Sequence, residues 1–312
     1  MEPMSNKTAV ATPPTPAEAF FEPWEEKITD WKSANELIER VIEKAGKKRE
    51  LAWRGVSNAS YSLHSSLYRR LRDKLGHAPD ESEVSAMEKK ILDAARKHWR
   101  FDNLSALEIM AHIQHYGGPT RLIDVSLNPM IALWFAIEKG YNQDGSEKPD
   151  VDGRIYVFDV TGRSISLDSQ WGGYELPWAP YPSDNWRKGL PLLWRPPSYN
   201  ERIPAQNSAF LIGGVPQLYS GGNAYYRKAP GDGVSSGTWN IDKIRAVTSV
   251  TLRMHSLESR IEGGSTPTFT LRITAEAKKE IRARLERSYG YSSASIYPDL
   301  FGLAIHGVKG LL

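Results

Sequence analysis

Helix-like and strand-like patterns occupy different parts of this 312-residue chain, and their order is the feature that most constrains its fold. In the first half, apolar residues recur at helical spacing, as in the run of Leu37, Ile38, Val41 and Ile42 that Gly46 closes. Short apolar runs typical of strands dominate the second half. A doubly wound fold needs strands that alternate regularly with helices. The order therefore predicts an α+β fold, with helices of the N-terminal half packed on a mostly antiparallel sheet.

Caps and breakers bound several of the predicted elements. Ser105 and Glu108 have the spacing of a capping box, and Pro129 suits the first turn of a helix, where the missing N–H needs no partner. Residues 163–200 are rich in Pro, Gly and Trp and are expected to be irregular, with some short strands. Helices are predicted from Trp31 to Gly46, at 83–100, from Ala106 to Gly117, from Pro129 to Gly140 and at 275–289; strands are predicted at 51–56, 154–160, 208–213, 246–253 and 268–273.

The first 22 residues differ from the rest, because they contain few large apolar side chains and three closely spaced prolines. Such a segment buries too little surface to offset the entropy of ordering, so residues 1–22 are predicted to be a disordered tail and residues 23–312 a single domain. No apolar run approaches the roughly 20 residues that cross a bilayer, and the N-terminus has no apolar signal region. We therefore expect no membrane partner and a cytoplasmic location.

Composition excludes several classes of protein. The chain has no cysteine, so disulfides, Cys-based zinc sites and a Cys nucleophile are ruled out. Its 40 basic and 37 acidic side chains give a net charge of +3, which is too near neutral to indicate nucleic-acid binding by itself. A local basic patch, Arg69–Lys74, leaves a nucleic-acid contact open.

Four stretches stand out from generic sequence, namely residues 53–70, 114–136, 201–213 and 297–307. They resemble the FRG-domain family, a widespread bacterial group named for an aromatic-Arg-Gly motif, here Trp53-Arg54-Gly55. The family pattern also has an HYG-x-PTRL-x-D block that continues into Asn-Pro and an A-L-x-F-A helix, and residues 115–136 supply it almost completely. The Arg-Ile-x-x-Gln block and the Pro-Asp-Leu signature match as well, so the resemblance covers about residues 48–307. Val125 and Ser208 depart from the residues that the family more often has there.

The order of these motifs also resembles that of ADP-ribosyltransferases: Arg-Gly on a first strand, a Ser/Thr element before an A-x-x-F-A helix, and a later Gln or Glu. That resemblance implies NAD as the cofactor, with Arg54 holding its diphosphate through a guanidinium fork suited to phosphate. Ser126 would be a structural residue of the second strand or loop, and Gln206 or Glu201 would face the nicotinamide ribose. No metal is required. The candidate catalytic residues are Arg54, Ser126, Gln206 and Glu201; the candidate cofactor-binding residues are Arg54, Gly55, Thr120, Arg121, Asp124, His115 and Tyr116.

The leading hypothesis is therefore an ADP-ribosyltransferase-like or NAD-cleaving activity on a nicotinamide nucleotide and an unknown acceptor, with a toxin or defence role as its extension. The alternative is a non-catalytic module that binds a phosphate-bearing ligand or nucleic acid; a third is a purely structural domain. Whether the chain is an enzyme stays open.

Structural roles for the same residues also stay open at this point. Arg54 and Arg121 fit buried ion pairs, and Asp124 and Ser126 fit capping of the Pro129 helix or its approach turn. His115 fits an interaction with a helix dipole, and Gln206 fits a buried amide. The tryptophans of 163–200 fit either a stacking platform for a ligand ring or anchors of an irregular loop.

Overall fold

An eight-stranded sheet lies at the centre of the described part of the chain, which comprises residues 13–178, 189–217, 238–261 and 266–308 of a computed structural model. Its strands are β1 (Glu25–Ile28), β2 (Leu51–Val56), β3 (Ile123–Ser126), β4 (Gly153–Asp159), β5 (Ser164–Ile165), β6 (Leu192–Trp194), β7 (Ser208–Ile212) and β8 (Thr268–Ile273). They are ordered β1-β8-β4-β2-β3-β7-β6-β5. The β1–β8 and β5–β6 pairs are parallel and the other neighbours are antiparallel, which confirms the predicted α+β fold with a mostly antiparallel sheet.

The predicted helices are all present. In the described residues the helices are α1 (Pro16–Phe21), α2 (Trp31–Ala45), α3 (Ser66–Leu75), α4 (Glu81–Trp99), α5 (Ala106–His115), α6 (Pro129–Ile137), α7 (Arg202–Ala205), α8 (Ile241–Val247), α9 (Ala275–Tyr289), α10 (Ser293–Ile296) and α11 (Leu300–Gly302). The capping box at the start of α5 is formed as predicted, since Glu108 N–H donates to Ser105 Oγ and Ser105 N–H donates to the Glu108 carboxylate. None of the helices in these ranges is both long enough and apolar enough to cross a membrane.

Helix α6 is buried on almost every side, not only along the predicted stripe of Met130, Leu133, Trp134 and Ile137. Six of its nine residues are buried, because the helix is enclosed between β2 and β4 of the sheet and helix α9. Its backbone lies directly on the sheet. A Cβ added at Gly55 would lie 1.8 Å from the Ala132 carbonyl oxygen. Glycine at this position therefore serves the packing of strand on helix.

Residues 16–21 of the predicted disordered tail form a buried helix instead. Thr15 and Glu18 make a capping box, and the side chains of Phe20 and Phe21 are 2% and 0% exposed. The Phe21 ring packs edge-on against Tyr156 of β4, at 5.1 Å between ring centroids. The prediction from composition failed because it gave the prolines more weight than Phe20 and Phe21, the two large aromatic side chains that hold this segment on the sheet. Residues 1–12 lie outside the described residues.

The predicted strand at 246–253 is wrong. Helix α8 ends at Val247, and the residues that follow cross one face of the sheet, with isolated bridges between Leu63 and Thr248 and between Met254 and Thr268. Val250 and Leu252 are buried against that face, beside residues of β3 and β4. The alternating apolar pattern therefore predicted burial correctly but strand pairing wrongly. A segment that lies across the face of a sheet buries alternate side chains as a paired strand does, so the pattern does not distinguish the two.

Over its described residues, 163–178 and 189–200, the Trp-rich segment is largely irregular with two short strands, as predicted. Trp178 and Trp194 are buried with Phe210 of β7 beneath helix α5. They match the loop-anchor interpretation and not the stacking platform, because neither lines the cavity described below. Trp186 lies outside the described residues.

Candidate functional site

A cavity of about 320 Å³ lies over β3 and β7, between helices α5 and α6. The two helices cover the same face of the sheet. Trp53 of β2 belongs to one core cluster with α6, and Phe210 of β7 belongs to another with α5. The register of β2, β3 and β7 places Trp53 and Phe210 on that same face. The gap between them is walled by residues 199–206 and by Tyr297. The volume is at the lower end of the range for sites that bind small molecules, about 300–1,000 Å³.

Six of the residues singled out from the sequence line this cavity, and four do not. The first group is Arg54, Gly55, His115, Asp124, Ser126 and Gln206; the second is Thr120, Arg121, Tyr116 and Glu201. Residues from the first, second and third sequence motifs therefore meet at one place, although they are far apart in the chain.

Arg54 lies at the cavity wall with part of its hydrogen-bonding capacity unused. Its Nη1 donates to the Asp124 carbonyl oxygen at 2.5 Å and lies 3.9 Å from Asp124 Oδ2. The Arg54 side chain is 22% exposed, and its Nε and Nη2 make no hydrogen bond to any described residue. The arrangement differs from the buried ion pair considered from the sequence, because the Asp124 carboxylate is 65% exposed.

Asp124 is the single acidic side chain among the described residues that line the cavity. Gln114 of α5 donates from Nε2 to Asp124 Oδ1 at 2.8 Å. The other end of the Gln114 amide accepts a hydrogen bond from Thr120 Oγ1. Thr120 itself is buried, so it holds Gln114 and is not available to a ligand, contrary to the prediction that it binds cofactor.

Ser126 and Gln206 form a connection between β3 and the cavity wall. Ser126 Oγ donates to the Gln206 carbonyl oxygen at 2.7 Å and accepts from the Asn128 N–H at 3.0 Å. Asn128, and neither Asp124 nor Ser126, caps helix α6. The Gln206 side chain lines the cavity while its Nε2 donates to the Ile296 carbonyl oxygen at 2.9 Å. Both hydrogen bonds of the Ser126 hydroxyl therefore go to backbone groups, and they join β3 to residue 206 and to the turn that leads into α6.

Arg202 is a cavity residue that the sequence-based selection missed. Its guanidinium makes two hydrogen bonds to the Asp299 carboxylate, and it lies over the ring of Tyr297 at 5.4 Å from the centroid. His115 Nε2 lies 3.8 Å from Asp299 Oδ2. Burial, and then the charge of Arg202, lower the pKa of His115, so the ring is neutral at neutral pH. The signal was in the sequence, because Arg202 and Asp299 belong to the third and fourth motifs.

Aromatic side chains complete the wall. Tyr199 O–H donates to Glu108 Oε1 at 3.0 Å, and Tyr297 O–H donates to Glu138 Oε1 at 3.0 Å. Burial raises the pKa of both phenols, which therefore stay protonated. Phe135 packs edge-on against Tyr297, and His112 packs beside Tyr199. Phe135 and Tyr297 belong to the second and fourth sequence motifs, whereas His112 and Tyr199 lie just outside the motifs and carried no signal beyond residue type.

Arg121, which was predicted to bind the cofactor, is instead part of a buried ion-pair cluster. It lies outside the cavity, 3% exposed, with Nε 2.6 Å from Glu88 Oε1 and Nη1 2.9 Å from Glu81 Oε1. The ring of Trp178 lies 4.7 Å from its guanidinium carbon. The prediction that Arg121 binds a phosphate is wrong and the buried ion pair is right, with two glutamates of α4 as partners. Removing both charges from water is costly, and close pairing with hydrogen bonds offsets that cost.

Tyr116 and Glu201 are also placed away from the cavity. Tyr116 is 69% exposed at the end of α5, and its ring contacts those of His115 and Phe301. Glu201 is exposed just before α7, where its side chain caps nothing. Neither side chain lines the cavity. In the ranges that the structure describes, no three His, Cys, Asp or Glu side chains are grouped so as to hold a metal ion.

Comparison with known proteins gives one match. No curated protein and no solved structure matches the chain. The sequence model of the FRG domain family matches residues 49–145, about a third of the chain. The matched segment runs from β2 to beyond α6 and contains Arg54, Gln114, His115, Asp124 and Ser126, whereas the motifs around Arg202 and Asp299 lie outside it. Residues 49–145 are therefore similar to the FRG domain, and this segment is the part of the chain that the comparison assigns.

Proposed function

We propose that this protein binds a nicotinamide nucleotide in the cavity between α5 and α6 and cleaves it, either by transfer of ADP-ribose or by hydrolysis. The observation that carries the proposal is that Arg54, Ser126 and Gln206, the residues that resemble the ADP-ribosyltransferase order, line one cavity.

Arg54 supports the diphosphate part of this proposal. A guanidinium with free Nε and Nη2 can make two parallel hydrogen bonds to phosphate oxygens. The aromatic rings of Tyr199 and Phe135 line the cavity and offer apolar contact to a flat heterocycle. Because about 320 Å³ is small for a dinucleotide, we propose that the cavity encloses the nicotinamide ribose and that the adenosine lies outside.

The binding test compares wild type with Arg54→Lys, which keeps the charge and loses the planar fork. NAD at 100 times its Kd should stabilise the wild-type protein by about 2.7 kcal/mol. Affinity measured by calorimetry should fall roughly 30- to 150-fold in Arg54→Lys, because bidentate pairing to a charged group contributes about 2–3 kcal/mol. Arg70→Lys is the matched control, since Arg70 bonds to the Gly117 carbonyl oxygen and does not line the cavity.

The activity test measures nicotinamide release from NAD by chromatography. Release that falls with Arg54→Lys and persists with Arg70→Lys supports the proposal. A wild-type protein that neither binds NAD nor releases nicotinamide overturns it.

A second candidate function is a non-catalytic module that binds a phosphate-bearing ligand through Arg54. One observation favours it: Ser126 Oγ, and Nε2 of Gln206, are already bonded to backbone groups. Binding of NAD, ADP-ribose and ADP with similar affinity, with no nicotinamide released, would select this function over cleavage.

We further propose a toxin or defence role in the cytoplasm. An activity that cleaves NAD would deplete the NAD of the cell in which it acts, and that loss would stop growth. Expression of wild type and Arg54→Lys in one host, with NAD measured in cell extracts, tests this extension. Equal NAD levels in the two cultures would contradict it.

A further inference from the structure

On the basis of the proposed function, we infer that the Asp124 carboxylate stabilises the positive charge that develops on the ribose when the nicotinamide bond breaks. Gln114 and Thr120 position it. The role at the ribose then belongs neither to Gln206 nor to Glu201, the two residues that the sequence offered for it.

The other carboxylates around the cavity are committed to protein partners. Asp299 is bonded to Arg202 through both oxygens. Glu108 and Glu138 are bonded to the tyrosines of the wall: Glu108 accepts from Tyr199 O–H, and Glu138 accepts from Tyr297 O–H. Of the acidic residues in the described ranges, only Asp124 lines the cavity.

Asp124 is also held in one orientation while one oxygen stays available. Its Oδ1 accepts from Gln114 Nε2 at 2.8 Å, and the amide of Gln114 is fixed in turn by Thr120 Oγ1. Oδ2 lies 3.9 Å from Arg54 Nη1, which is beyond hydrogen-bond distance. A neutral amide donor orients a carboxylate without cancelling its charge, which is the requirement for a group that stabilises a developing cation.

The contact between Arg54 and Asp124 relates the position of the substrate diphosphate to that of the ribose. If Arg54 holds the diphosphate, the ribose attached to it lies next to Asp124, because the Arg54 guanidinium bonds to the Asp124 carbonyl oxygen. Phosphate contact and charge stabilisation would then come from two residues in direct contact.

The step balances without an added oxidant or metal. The bond between ribose C1′ and the pyridinium nitrogen breaks, and its electron pair leaves with the nitrogen, so that neutral nicotinamide departs. C1′ gains oxocarbenium character, which the Asp124 carboxylate stabilises. A water or an acceptor hydroxyl forms the new C1′–O bond and releases its proton to solvent by way of Asp124.

The decisive variant is Asp124→Asn, whose Oδ1 can still accept from Gln114. Nicotinamide release should fall at the level of kcat by about 100-fold or more. NAD affinity, measured by calorimetry, should change less than about threefold. Because the Asp124 side chain is 65% exposed, the variant should melt like the wild type. Glu201→Gln, at an exposed position outside the cavity, is the control and should keep full activity.

Gln114→Met tests the positioning role, because it keeps the length of the side chain and loses the amide. We expect kcat to fall about tenfold with little change in KM, whereas a residue needed only for folding would lower the melting temperature and leave kcat per folded molecule unchanged. Asp124→Ala provides a second removal of the carboxylate if Asp124→Asn is poorly soluble.

The outcomes separate this inference from the proposed function. An Asp124→Asn protein that releases nicotinamide at the wild-type rate overturns the role of Asp124 and leaves the proposed function standing. A wild-type protein that does not bind NAD overturns both. A third outcome supports both: the wild-type protein binds NAD and releases nicotinamide, and Asp124→Asn still binds NAD but has a much lower kcat.

Discussion

The guanidinium of Arg202 meets the carboxylate of Asp299 through two hydrogen bonds, Nε to Oδ2 at 2.6 Å and Nη2 to Oδ1 at 2.8 Å. The pair joins helix α7 to the N-cap of helix α11, since Asp299 Oδ1 also accepts from the Gly302 N–H. It therefore ties the C-terminal segment that carries Tyr297 to the wall of the cavity. Both side chains are largely buried, so solvent screens the pair little.

A double-mutant cycle should detect this tie. Arg202→Met and Asp299→Asn should each destabilise the protein, because each leaves a charged or polar partner without its hydrogen bonds. The two changes together should cost less than their sum, by about 1–3 kcal/mol. Urea unfolding of the four proteins measures the coupling, and strictly additive costs would contradict a direct interaction.

Removal of the Phe21 side chain should be strongly destabilising, although the proline-rich sequence around it suggested a dispensable tail. Phe21 is fully buried, packs on Tyr156, and lies 4.7 Å from the guanidinium carbon of Arg154. Phe21→Ala should cost about 3–5 kcal/mol of unfolding free energy. The exposed neighbour Glu22 supplies the control, Glu22→Ala, which should stay within about 0.5 kcal/mol. Equal stability of the two variants would show that α1 does not contribute to the core.

Local sequence patterns predicted most of the elements because their causes are local. The capping box at Ser105, the proline at the start of α6 and the glycine after α2 each act within a few residues of the chain. The strand predicted at 246–253 failed because burial was taken for pairing, and pairing depends on residues elsewhere in the chain.

The sequence could predict those site residues that belong to short, recognisable motifs. Arg54, Asp124 and Gln206 could be selected because their short motifs resemble those of known families, and all three line the cavity. Arg121 could not be told from a ligand-binding arginine, because its partners Glu81 and Glu88 lie in helix α4, more than 30 residues earlier in the chain, and belong to no motif. The orientation of Asp124 by Gln114 likewise depends on how α5 meets β3, which a single sequence does not specify.

The glycine of the Trp53-Arg54-Gly55 motif gives a prediction about packing. A Cβ at position 55 would lie 1.8 Å from the carbonyl oxygen of Ala132 and 2.7 Å from the backbone nitrogen of Ala136, so α6 would have to move as a whole. Gly55→Ala should cost at least about 3 kcal/mol, at the upper end for overpacking, because backbone cannot yield as a side chain can. At Gly140 the nearest atom to an added Cβ is 3.4 Å away, on the flexible Lys148 side chain. Gly140→Ala is therefore the control, and thermal melts that rank the two variants equally would contradict the close packing of β2 on α6.

His64 should make the stability of the protein depend on pH. Its ring is buried and its Nε2 is 2.9 Å from the Arg245 carbonyl oxygen. Burial is the main cause that lowers the pKa of His64, to about 4, and the charges of Arg72 and Arg69 add to it. Between pH 6.5 and about pH 4 the unfolded chain binds a proton at this residue and the folded chain does not. The free energy of unfolding should therefore fall as the pH falls through that window, by about 3 kcal/mol from this residue alone.

Asp and Glu side chains also titrate at low pH, so the contribution of His64 must be read from a difference between variants. His64→Gln keeps an N–H that can donate to the Arg245 carbonyl oxygen and cannot gain a proton. Urea unfolding of this variant and of the wild type at intervals between about pH 7 and pH 4 should give curves that converge or cross toward low pH, because only the wild type loses the His64 contribution. His98→Gln, at an exposed position at the end of α4, should follow the wild-type curve throughout. Parallel curves for His64→Gln and wild type would mean that the buried ring gains its proton without cost, and that His64 is solvated in the folded protein.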